Sequence, residues 1–182
     1  LLITWTKNKL INITMNIAIT GHTSGLGKAC FDYYDSIPTI TVSGFSRSNS
    51  FNISNPAPII HGSLGYDVFI NNAYDGFEQV NLLYELIQGF KGRIINISSN
   101  SSDGIKNRVW PYSIHKAALD KANQQLFHNG YNVTNIKFGW LDTDKVKHID
   151  EPKIKLNNAV ELIDSIVNSP SRIETITVAP SR

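Results

Sequence analysis

Short apolar runs alternate with longer amphipathic stretches along most of the chain. Residues 15–20 (MNIAIT) form a mostly apolar run ending at Gly21, the pattern of a buried strand. Leu26, Ala29, Cys30, Tyr33 and Tyr34 then recur at helical spacing until Pro38 stops them. Residues 39–45 (TITVSGF) are rich in β-branched side chains and read as a strand. Residues 48–63 read as a loop holding a small strand, and 66–70 (YDVFI) as another buried strand. Val80, Leu83, Leu86, Ile87 and Phe90 share one side of a predicted helix over 77–90, and a strand follows over 92–98. The clearest helix opens at Pro111, whose missing N–H costs nothing in a first turn. A strand over 131–138, an amphipathic helix over 155–169 ended by Pro170, and a strand over 173–179 complete the pattern.

Strands alternating with helices predict a parallel sheet covered on both faces. The expected fold class is α/β, a Rossmann-like doubly wound sheet in three αβα layers, with about seven strands and some shortened helices. Such sheets bind ligands beyond the carboxyl ends of their strands. Each functional residue should therefore follow a strand.

The 182 residues suffice for one domain, expected over 15–182. Met15 directly precedes the first strand, so residues 1–14 read as an upstream sequence or loose arm outside the fold. The net charge of +2 is small and scattered, which gives no reason to expect nucleic acid. No apolar run approaches the ~20 residues of a membrane helix. Cys30 is the one cysteine, so there is no disulfide framework; with no signal-peptide pattern, a cytoplasmic setting is expected. The sequons at Asn12, Asn52, Asn96, Asn100 and Asn132 then read as chance, and the histidines show no metal-ligand spacing.

Candidate chemistry changes this picture at several strand ends. TGHTSGLG (20–27) carries Gly21, Gly25 and Gly27 between a strand and a helix. Taken alone it is either a structural turn or a phosphate cradle at a helix N-terminus. About 20 residues on, where dinucleotide folds read the adenine ribose, stand Ser46 and Arg47 and no acid; arginine suits a 2′-phosphate. Tyr112 and Lys116 are i and i+4 on the strongest helix, and a neighbouring cation favours a phenolate. Ser98 and Ser99 end a predicted buried strand, with Ser99 13 residues before Tyr112. His22 and His115 fall in the gaps of these motifs and read as fillers.

In these residues the chain resembles the short-chain dehydrogenase/reductase family. TGHTSGLG matches its Thr-Gly-x-x-x-Gly-x-Gly turn, and NNAY (71–74) its Asn-Asn-Ala-Gly segment. Ser99 with YSIHK (112–116) matches its Ser…Tyr-x-x-x-Lys site, and FGWLDT (138–143) its Pro-Gly-x-x-x-Thr segment. The resemblance implies an oxidoreductase passing hydride between a nicotinamide and a small-molecule carbonyl or alcohol substrate. Tyr112 would be the acid/base, Lys116 would lower its pKa and hold the ribose, and Ser99 would position the substrate oxygen. Gly21, Thr23, Ser24, Gly25, Leu26 and Gly27 would hold the pyrophosphate, Asn72 and Ala73 the ribose, and Thr143 the carboxamide. Ser46 and Arg47 make NADP(H) the expected cofactor, with NAD(H) allowed. The family often forms homo-oligomers through the helices that correspond to 77–90 and 111–129.

The chain also departs from the family. Asn71 and Ser99 are only 28 residues apart, so the intervening helix is trimmed, and Asn81 is the candidate for the family's additional catalytic asparagine. Tyr74 replaces a glycine beside the cofactor, and Phe138 replaces a proline. The stretch from Thr143 to Pro152 is short and charged, allowing only a small substrate lid. This trimming motivates an alternative function, a nucleotide-binding sensor or scaffold without turnover.

Overall fold

The computed structural model describes residues 14–105 and 108–181. The expected arm at 1–14 thus lies almost wholly outside the described residues. Strand β1 (Met15–Thr20) leads into helix α1 (Gly25–Asp35) and strand β2 (Ile40–Phe45). A 3-10 turn (Arg47–Asn49) and helix α2 (Ala57–Ser63) connect to β3 (Val68–Asn71). Helix α3 (Glu78–Leu86), strand β4 (Arg93–Ser99), helix α4 (Pro111–His128) and strand β5 (Val133–Phe138) follow. Helix α5 (Leu156–Val167) and strand β6 (Thr175–Val178) end the described chain.

The six strands pair in parallel in the order β2-β1-β3-β4-β5-β6. The stretch 48–63 supplies no strand. Pro56 and Pro58 remove two backbone donors, and Pro56 caps α2 instead. Among the described residues the count is therefore six, where about seven strands were expected.

Successive strand residues face opposite sides, so both faces need apolar cover. Ile17, Ile19, Val68, Ile70, Ile95 and Ile97 meet Leu26, Cys30 and Tyr34 of α1 and Ile163 and Val167 of α5. The intervening Ala18, Phe69, Ile94 and Val133 meet Ile59 of α2, Leu82, Leu83 and Leu86 of α3, and Leu119 and Leu126 of α4. Among the described residues no helix is long and apolar enough to cross a membrane.

The α4-facing side of the sheet turns polar toward its carboxyl end. On β4 the sequence of inward positions is Ile94, Asn96, Ser98; on β5 it is Val133, Asn135, Lys137. Asn96 is fully buried and donates to Asn123 Oδ1 at 3.0 Å, and Ser98 and Asn135 both donate to Asp120. Burying such groups is tolerated only when they are paired. The sequon at Asn96 is thus a core position.

Candidate active site

The strand order reverses direction at β1 and β3, and a crevice opens beyond their ends. Thr20 and Asn72 stitch its floor. The Thr20 hydroxyl accepts from the backbone N–H groups of Asn72 (2.9 Å) and Ala73 (3.0 Å), and Asn72 Nδ2 donates to Thr20 O at 2.9 Å. Gly21 has φ +72 and Gly25 φ +55, left-handed values that favour glycine. A Cβ on Gly27 would lie 2.2 Å from the Gly21 carbonyl oxygen and 2.5 Å from Asn72 Nδ2. The turn therefore folds tightly onto the start of α1. Ser24 caps α1 without a side-chain hydrogen bond, which leaves the first N–H groups of α1 open to an anion.

These close approaches give a direct check. Gly27→Ala is expected to cost about 1–3 kcal/mol through overpacking, read as a lowered Tm. An unchanged Tm would show that the turn relaxes freely.

One cleft of about 440 Å³ runs along this edge of the sheet. Gly21, Thr23, Ser24, Gly25 and Leu26 line its middle, Ser46 and Arg47 one end, and Ser99, Tyr112 and Lys116 the other. Asn72, Ala73 and Thr143 also line it, and Thr143 Cγ2 stands 3.5 Å from where a Gly25 side chain would begin. Of the residues expected from the sequence, Gly27, packed behind the turn, and Asn81 do not line it.

At the β2 end, Ser46 and Arg47 differ in availability. The Ser46 hydroxyl is spent on Asn49 Oδ1 (3.1 Å) and Ser48 Oγ (2.7 Å), where it caps the 3-10 turn. Arg47 is exposed, and among the described residues no hydrogen bond or ion pair from its side chain is found. Phe45 and Phe51 meet edge to face at 4.9 Å beside it and add an apolar wall that motif reading missed.

At the other end, Ser99 ends β4 and its oxygen accepts from Ser101 N (3.2 Å) and Ser101 Oγ (2.9 Å). Both contacts use the oxygen as acceptor, so the Ser99 proton is left to donate. Tyr112 sits in the first turn of α4 and hydrogen-bonds Ser99. Burial holds the phenol above its ordinary value, the Ser99 bond pulls it down, and Tyr74 adds to the rise. The sequence led to the expectation of a lowered phenol beside Lys116, but burial sets the net direction, upward. Lys116 instead turns its ammonium toward Gln79 Oε1 (2.7 Å) and Ile97 O (2.8 Å), with the Tyr112 ring centroid 5.6 Å away. The residue is 3% exposed, and desolvation pushes the amine down to about 7 against a smaller opposing pull from Asp120.

Gln79 is the residue the sequence did not disclose. It is buried, and its Nε2 donates to Asn71 O (2.7 Å) and Ile97 O (3.1 Å), which fixes Oε1 toward Lys116. Asn71 Nδ2 in turn donates to Gln79 O at 3.0 Å and to Asn96 Oδ1 at 2.9 Å. Asn81, the asparagine expected here, is exposed and bonds Glu78 at 3.1 Å. His22 fills space as expected, its ring lying on Gly44 and tilted against Phe31 at 5.0 Å.

No model of a protein family matches the chain, and no curated protein does. Solved structures match it in fold. A short-chain dehydrogenase from Burkholderia cenocepacia in complex with NADP aligns at TM-score 0.70 and 17% identity, over 92% of this chain and 89% of that one. A small-chain dehydrogenase in complex with NADPH aligns at TM-score 0.75 and 16% identity, over 91% and 96%. A 4-hydroxyisoleucine dehydrogenase complexed with NADH aligns at TM-score 0.70 and 19% identity, over 92% and 98%. The chain thus has the doubly wound α/β fold of short-chain dehydrogenases.

Proposed function

We propose that the chain is an NAD(P)(H)-dependent oxidoreductase acting on a small carbonyl or alcohol, with NADP(H) preferred. The observation that carries this is the single cleft joining the glycine turn, Arg47 and the Ser99–Tyr112–Lys116 group. A dinucleotide fits its residues. The left-handed glycines and the open α1 N-terminus suit a pyrophosphate, and Arg47 suits a 2′-phosphate. A nicotinamide bound at the far end supplies the hydride chemistry.

The side chains around it handle the proton. Ser99 donates to the substrate oxygen and holds it against Tyr112. Because burial raises the Tyr112 phenol, it stays protonated at neutral pH and serves as the acid for carbonyl reduction. The Lys116 ammonium, behind the ring, stabilises the phenolate left after transfer. Gln79 and the Ile97 carbonyl keep that ammonium in place. Thr143 and the Asn72–Ala73 segment line the remaining wall. A cytoplasmic setting accords with the unpaired, buried Cys30, whose thiol burial pushes up to about 12.

A sensor without turnover is the second reading. The observation favouring it is that Lys116 sits in a site where desolvation weakens its charge at neutral pH.

Titration with NADPH and NADH followed by a carbonyl panel separates the two readings. Binding with turnover supports the reductase, binding alone the sensor, and binding of neither cofactor overturns both. Arg47→Leu is expected to weaken NADPH about tenfold or more, the worth of a charge-assisted hydrogen bond, and to leave NADH nearly unchanged. Tighter binding of NADH than NADPH by the unaltered chain would show that Arg47 does not read the phosphate.

A further inference from the structure

We infer that Tyr74 is a substrate-recognising wall that selects carbonyl compounds carrying a flat aromatic ring next to the reacting carbon. The inference rests on the carbonyl-reductase reading and specifies its substrate class.

Tyr74 follows Ala73 at the end of β3 and lines the cleft where the resemblance predicts a glycine. Its ring lies 4.9 Å from the Tyr112 ring, edge on at 71°. Its hydroxyl bonds His115 Nδ1 at 2.8 Å, and Phe77 packs against the same imidazole at 4.4 Å. Tyr112, His115 and Lys116 occupy i, i+3 and i+4 of α4, so they share a face. Tyr74 lies along that face: its hydroxyl is tied to His115, and its ring is within 5.3 Å of the Lys116 ammonium. Gly76, at φ +56, turns the loop back toward α4. The ring is therefore held by its neighbours on one side.

The other side is open. Tyr74 is 43% exposed although each of these contacts covers part of it. Ile97, Phe138 and Leu141 also line the cleft, but Ile97 and Phe138 are buried and Leu141 is half-buried, so none of them presents an exposed ring. Ser99 is polar, and the segment between Leu141 and Ile154 is pinned at its base by Asp142 N to Ile154 O and is charged along its length. A fixed, half-exposed phenol ring beside the proton donor binds a flat π-system at low entropic cost, in offset or edge-to-face geometry. A saturated ring of the same size gains only contact area.

The test compares benzaldehyde with cyclohexanecarbaldehyde, which differ in aromaticity and little in bulk. Intrinsic reactivity cancels when the ratio of their kcat/KM values is compared between variants. Tyr74→Leu keeps an apolar group and loses the ring; it is expected to reduce the aromatic-to-saturated ratio by roughly three- to tenfold. Tyr74→Phe keeps the ring and only loosens it from His115; it is expected to retain most of the ratio. A Tyr74→Leu ratio equal to that of the unaltered chain overturns the inference and leaves the reductase reading standing. So does an equal loss of NADPH affinity and of both activities, which would make Tyr74 a cofactor contact. Affinities of benzyl alcohol and cyclohexylmethanol for the NADP⁺-loaded protein give the same ratio without turnover. A ring preference there with no turnover upholds the wall and overturns the reductase; no preference overturns the wall.

Discussion

Tyr112→Phe is expected to lower kcat/KM for carbonyl reduction by about 10²–10⁴-fold, the usual worth of a positioned general acid. The variant removes one oxygen and little else. The phenyl ring keeps its edge-on contact with the Tyr74 ring at 4.9 Å. Ser99 loses a partner but is still held through Ser101 N and Oγ. Net stability should therefore change by only about 1 kcal/mol, since one hydrogen bond is exchanged. NADPH affinity should move little, because the glycine turn and Arg47 lie elsewhere in the cleft. The measurement pairs kcat/KM with a fluorescence titration of NADPH and a thermal melt. A loss smaller than tenfold would mean that the proton comes from another group. A loss accompanied by a collapsed melt would point to packing instead of acid catalysis.

The strands and the motif residues were legible because each follows a simple rule. Buried strands in a covered sheet read as short apolar runs, and their ends place TGHTSGLG, NNAY and Ser99 along one edge. The sequence pattern failed where polar groups are buried. Hydrophobic periodicity placed Val80, Leu83, Leu86, Ile87 and Phe90 on the inner face of the helix after β3. Leu83, Leu86 and Phe90 are buried and Val80 and Ile87 pack against them, but the buried set of α3 also holds Gln79 and Leu82, which the pattern left out. Gln79 was missed because a buried glutamine counts as solvent-facing in any hydrophobicity pattern. The same blindness directed attention to Asn81, a local motif match on the wrong side of the helix. It also hid Asn71, Asn96 and Asn123, whose side-chain amides link three elements in the core. Charge reasoning failed in a related way. Two residues on one helical face were expected to act as cation and phenolate, but burial moves each group toward its neutral form. Spacing carries no information about desolvation.

That desolvation leads to the second large effect, in stability. Lys116 has an ordinary amine value of 10.5 in the unfolded chain and about 7 in the folded one. Below pH 7 both states hold the proton, and the cost of burying the ammonium is fully present. Between pH 7 and 10.5 the unfolded state keeps the proton that the folded state has released, so stability rises with pH. Above 10.5 the cost has gone. Lys116→Met carries no such group and removes this dependence. Its stability relative to the unaltered chain is thus expected to be highest at about pH 6. It should fall by a few kcal/mol by about pH 10, at roughly 1.4 kcal/mol for each pH unit crossed between the two amine values. The constant part of the difference has the opposite sign. Gln79 Oε1 loses its donor, a buried orphan that costs about 1–3 kcal/mol at every pH. The slope therefore tests the idea and the offset does not. Urea unfolding of both proteins at about pH 6, 8 and 10 measures it, and a pH-independent difference would mean that Lys116 keeps its proton throughout. The same variant should lose turnover, because the phenolate left on Tyr112 would have no cation behind its ring. A gain in stability at about pH 6 together with that loss would show the buried ammonium to be maintained for chemistry at the expense of the fold.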